Sequence, residues 1–169
     1  MMRRLKAACG TIVAVALVAT GIGAMSASAG DNEAGENQLV GAWFVSVNRG
    51  PALPALKSVH TYNKGGTGME TANGGARARS AAAIAWERTS GHTYGTTAVF
   101  FRYDPATDAY LGTVKLRHTL ELSRDGNSFT GFSVPEFRDP AGNLQPGSNA
   151  RRDVVTGTRI EVESPPEIP

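Results

Sequence analysis

Three histidines, His60, His92 and His118, are the residues of this chain whose chemistry spans neutral pH, because imidazole exchanges its proton near about pH 6.5. In "LKSVHTYN" Tyr62 follows His60 by two residues and shares its side of an extended segment. In "TVKLRHTLEL" His118 falls in the series Val114, Leu116, Leu120, Leu122, with Lys115, Arg117 and Glu121 opposite. His118 and Tyr62 are therefore the candidates for acid–base catalysis. An imidazole among leucines is more often a hydrogen-bonded core residue than a catalytic one, and that is the first reading of His118. The three histidines lie in separate elements, His92 in a turn, so no metal site is expected. No Gly-x-Ser-x-Gly turn, His-Glu-x-x-His or cysteine pair is present, and "NKGGTG" lacks the Lys-Ser/Thr ending of a phosphate-cradling loop.

The elements that must position these residues read as strands. Period-two alternation and short β-branched or aromatic runs cover 39–48, 56–63, 67–71, 82–88, 94–103, 110–122, 128–137 and 153–163. Turns such as "NKGGTG", "TSGH", "DPATD", "RDGN" and "DPAGN" join neighbours at hairpin length. The expected fold is all-β, an eight-stranded antiparallel up-and-down barrel, which is just wide enough for side chains or one small ligand. One connection, 72–83, is long, small and basic; it is a flap or loose loop, with a short helix at 77–83 as the alternative.

Alternation also nominates a lining. Ser58, His60 and Tyr62 share a parity that is inward if the strand turns that way; the other parity stays open. Phe100 and Arg102 share the side of Tyr94 and Ala98, and Trp86 shares the side of Ile84. An inward Arg102 is a buried cation that needs a carboxylate or an anionic ligand, so the outward side is favoured; it is still the best anchor for an acidic group. Glu70 is expected to face solvent. The candidate ligand-binding set is His60, Tyr62, Trp86, Phe100, Arg102 and His118.

The first 29 residues have the charged start, apolar run and Ala27-Ser28-Ala29 ending of a secretory signal, with cleavage expected after Ala29. Residues 30–38 read as a disordered leader, 39–163 as the barrel domain and 164–169 as a flexible tail. Seventeen Lys and Arg, less the three in the signal, leave fourteen against fifteen Asp and Glu, so the mature chain carries −1. That balance excludes nucleic acid or an anionic membrane surface as an expected partner. Cys9, the sole cysteine, precedes the apolar run, so no lipid anchor, disulfide or thiolate is expected in the secreted product.

Gly41-Ala42-Trp43 on the first strand, with Arg159 in "VVTGTRIEV" on the last, resembles the lipocalin and wider calycin families. The segments "AWERTSGHTYGTTAVFFRYD" and "LELSRDGNSFTG" are similar to uncharacterised secreted bacterial members. The chain lacks the cysteines and C-terminal helix of typical lipocalins, so calycin-like is the fitting level. The resemblance implies that Arg159 stacks on Trp43 to close one end of the barrel, a cation–π contact of about 1–2 kcal/mol. It also implies a partner: a small, largely apolar or amphiphilic molecule, bound without chemistry and without a cofactor. Cyclase or isomerase activity and a barrel filled by its own side chains, serving structure or protein interaction, are the alternatives.

Overall fold

Alternation along the chain becomes eight strands in the computed structural model, which describes residues 38–74 and 77–167. The expected signal segment and nearly all of the leader lie outside the described residues. The strands are β1 (Gly41–Asn48), β2 (Leu56–Asn63), β3 (Thr67–Ala72), β4 (Ala82–Ser90), β5 (Thr93–Tyr103), β6 (Tyr110–Leu122), β7 (Ser128–Arg138) and β8 (Asp153–Arg159). Each pairs antiparallel with the next, and β8 returns to β1, closing the barrel. The expected all-β barrel is the observed one. β8 ends earlier than expected because its pairing with β1 runs out where Arg159 faces Trp43. The helix considered at 77–83 does not form: residues 77–78 make a turn and Ala82 already begins β4.

One half of the interior is filled by aromatic rings. Trp43 packs on Phe129, and Trp86 lies between Tyr62 and Tyr94. Both indoles have their N–H satisfied, Trp43 donating to the Leu39 carbonyl and Trp86 to that of Thr67, each at 2.9 Å, as buried indoles require. Arg159 seals this end: its guanidinium lies 4.3 Å from the Trp43 ring and donates to the carbonyls of Gly126, Val40 and Gln38. Gly41 adopts φ +139°, and a Cβ there would stand 2.6 Å from Arg159 Nη1. A side chain at that glycine would displace the closing arginine. Phe129 lies flat against the Gly157 backbone, where a Cβ would enter its ring.

A half-polar cavity at the open end

The opposite half of the barrel is not filled. A cavity of about 190 Å³ opens between the ends of β1, β5 and β7 and the starts of β2, β6 and β8. Its apolar wall is Val47, Leu56, Phe100, Val114, Leu116 and Phe137; its polar wall holds four arginines, Arg49, Arg79, Arg102 and Arg151, against Glu70 and Asp153. With the histidines neutral, the charged groups leave an excess of two positive charges. The cavity reaches Phe100 and His118 but not Trp43.

The floor is a chain of hydrogen bonds. Ser58 Oγ lies 2.9 Å from His60 Nε2, His60 Nδ1 lies 3.1 Å from the Tyr62 hydroxyl, Tyr62 bonds Thr96, and Thr96 Oγ1 lies 2.7 Å from His118 Nδ1. All five residues are buried. The two imidazole rings are 6.2 Å apart. Burial, followed by the charge of Arg79, lowers His60 to about 4; burial, followed by His60, lowers His118 to about 4, with Glu70 opposing. Both are therefore neutral at pH 7, each with one N–H to give. Burial and the nearby Glu70 push the Tyr62 phenol up, opposed by its bond to Thr96. With one proton per link, the chain has two polarities, which leave His118 Nε2 either a donor or an acceptor.

Above the floor sits an ion pair that the alternation of the sequence does not show. Glu70 is inward, 2 % exposed and directly across from His60 in the β2–β3 register. Its Oε1 lies 3.0 Å from Arg79 Nη1. This corrects the expectation that Glu70 faces solvent: a carboxylate is tolerated inside because a guanidinium meets it. Arg79 arrives through the long β3–β4 connection, which does not hang loose. Ser80 exchanges bonds with Phe101, its N–H donating to the Phe101 carbonyl and its hydroxyl accepting from the Phe101 N–H, while the Tyr103 N–H donates to the Ala78 carbonyl. Arg79 pairs with Arg102, whereas Ala83 pairs with Val99, so the register slips by one residue between them. Such a bulge re-aims a side chain, and here it turns Arg79 inward over the Phe100 ring, at 3.7 Å.

Arg102 is also inward, contrary to the side favoured from sequence. The outer face of β5 is taken by Val99 and Phe101, and the parity of buried Tyr94, Ala98 and Phe100 carries Arg102 in with them. Its charge is tolerated because it sits at the rim, where Nη2 donates to Gln145 Oε1 at 2.8 Å and to the Leu111 carbonyl. Among the described residues no carboxylate lies within ion-pair distance of Arg102 or Arg49; Arg49 donates to the Pro54 carbonyl instead.

Of the residues nominated from sequence, the structure brings His60, Phe100, Arg102 and His118 to one cavity. Tyr62 stands one layer below, as a link in the chain, and Trp86 packs in the closed half. His92 is exposed in the β4–β5 turn, away from the other two. Among the described residues no three metal-ligating side chains converge. Sequence reasoning missed Thr96, Glu70, Arg79, Arg49, Arg151 and Asp153. Thr96 was legible, since it shares the parity of Tyr94 and Ala98; Arg79 depends on a bulge and carried no such signal. A scan against protein-family models finds no match, and searches of curated proteins and of solved structures find none either.

Proposed function

We propose that this protein is a secreted, calycin-like barrel that binds one compact amphiphilic carboxylate in the open-end cavity without transforming it. The observation that carries the reading is the division of the wall: an apolar half facing an arginine-rich half with two charges unbalanced. An unbalanced guanidinium in a partly dry site favours an anion, and a carboxylate matches its fork. Size narrows the class. An engineered cavity of about 150 Å³ takes benzene, whereas pockets for drug-sized ligands run to roughly 300 Å³ and more. A single ring with a short acidic arm suits about 190 Å³; a long acyl chain does not. The closed eight-strand barrel and the Arg159–Trp43 contact support the calycin relation, and the signal-like first 29 residues support export.

The test is calorimetric titration with phenylacetate and with its neutral counterpart toluene, alongside native mass spectrometry of the protein as secreted. Phenylacetate is expected to bind, more weakly as salt rises and roughly tenfold more weakly in Arg102→Met. Toluene binding as tightly as phenylacetate, or no binding by either, overturns the reading.

A second reading, cofactor-free isomerisation, is favoured by one observation: the hydrogen-bonded chain ends on His118, in the cavity wall. It predicts that the methylene protons of bound phenylacetate exchange in deuterated water and that His118→Gln stops the exchange. Under the binding reading no exchange occurs, and His118→Gln leaves affinity within about threefold.

A further inference from the structure

Among the described residues, three buried side-chain polar atoms have no hydrogen-bond partner: Glu70 Oε2, Arg79 Nη2 and Arg102 Nε. All three belong to walls of the one cavity. Buried polar groups are nearly always paired, so a cluster of exceptions in one place calls for a partner. The set is specific in kind: two cationic donors and one anionic acceptor.

We propose that the head group bound here is a 2-hydroxycarboxylate, its carboxylate taken by Arg79 and Arg102 and its hydroxyl donated to Glu70. The inference rests on the carboxylate reading above and adds the hydroxyl. A plain carboxylate satisfies the two donors and leaves Glu70 Oε2 orphaned, with a second anion brought near it. A carboxamide can donate to Glu70 and accept from both guanidinium N–H groups on its carbonyl oxygen, but it is neutral and leaves the charge excess unbalanced. A hydroxyl on the carbon next to the carboxylate supplies all three partners from neighbouring atoms. Glu70 and Arg79 are joined through Oε1 and Nη1, and the free atom on each side is the other terminal atom of that same carboxylate and guanidinium. The apolar wall then covers a ring or branched group carried by the same carbon.

The three atoms are closed to solvent as they stand, so the ligand reaches them when the Arg79 side chain turns off Phe100. That side chain is held by the Glu70 contact, the Phe100 ring and a bond from Nε to the Ser80 carbonyl. The backbone around it is fastened by the Ser80 and Tyr103 bonds, so the motion is one of side-chain rotamers.

The experiment is calorimetric titration of the purified protein at pH 7.5 with (R)-mandelate, (S)-mandelate, phenylacetate and phenylacetamide. One mandelate enantiomer is expected to bind roughly tenfold to hundredfold more tightly than phenylacetate, the gain of one hydrogen bond to a buried charge. The other enantiomer should lose most of that gain, because the donor and acceptors are fixed in space. Phenylacetate equalling both enantiomers removes the hydroxyl and leaves the carboxylate reading standing. If neither acid binds, both fall. Phenylacetamide binding most tightly replaces the acid with a neutral head group and overturns the proposal. In Glu70→Gln the mandelate preference should shrink to within about threefold; the ligand series on the unaltered protein decides the matter whether or not that variant folds.

Discussion

Lowering the pH from 7.5 to 4.5 should destabilise this protein by an amount set largely by two side chains. His60 and His118 are held near about 4 by burial, against about 6.5 in an unfolded chain. The folded state thus resists protonation while the unfolded state accepts it. Stability is full above pH 6.5 and is lost as pH falls toward the folded pKa of about 4. Between pH 7.5 and 4.5 each histidine contributes a loss of roughly 2.5 kcal/mol, so about 5 kcal/mol together, with a slope approaching two protons. That rivals the total stability of many domains, typically about 5–15 kcal/mol. The depressed carboxylates Asp104, Asp125, Glu136 and Asp139, held down by hydrogen bonds from neighbouring groups, act in the same direction, but their loss only sets in as pH enters the ordinary carboxylate range, at the bottom of this window. The assay is urea unfolding followed by fluorescence of Trp43 and Trp86, at half-unit steps. His60→Gln combined with His118→Gln should flatten the curve. A wild-type loss below about 1 kcal/mol across the window would refute the neutral, desolvated histidine chain.

Three further outcomes can be read with the same assay. Thr96→Val cuts the chain between Tyr62 and His118 and leaves buried groups unpaired, for an expected loss of about 1–3 kcal/mol. Arg159→Met removes the seal over Trp43 and its three bonds to carbonyls, costing about 2–4 kcal/mol in urea while phenylacetate affinity stays unchanged, since the two ends are separate. Gly157→Ala drives a methyl into the Phe129 ring and should cost about 1–3 kcal/mol. Adding Phe129→Leu should return part of that loss, which an unrelated strand effect would not do.

The strands and their meander were legible in the sequence because a strand with one face buried has a single workable parity, although a two-sheet sandwich shares nearly the same pattern and the pairing of β8 with β1 is what makes it a barrel. On β6 four aliphatic residues settle the inward face, and His118 follows them by position alone. The same rule places Thr96 and Phe100 on β5, and β-turn chemistry makes each strand the neighbour of the next. Trp43 and Arg159, at opposite ends of the barrel sequence, were matched through the family resemblance. The resemblance anticipated a contact that alternation could not supply.

What alternation could not decide was the charge inside. Glu70 and Met69 occupy adjacent positions with opposite faces, and local sequence offers no reason to bury the carboxylate and expose the methionine, which is 55 % exposed. The choice is made by Arg79, and Arg79 enters only through a one-residue slip in the pairing of its segment with β5. Arg102 was likewise undecided: the cost of an inward cation depends on how near the rim it stands and on Gln145, forty-three residues away. Sequence by itself determined the strand order, the fold class and the inward histidine of β6, because these follow from period and nearest-neighbour pairing. Only the tertiary structure decided that the open half is an arginine-lined cavity with unpaired donors and an acceptor, because that depends on barrel closure and on a bulge whose register no local pattern encodes.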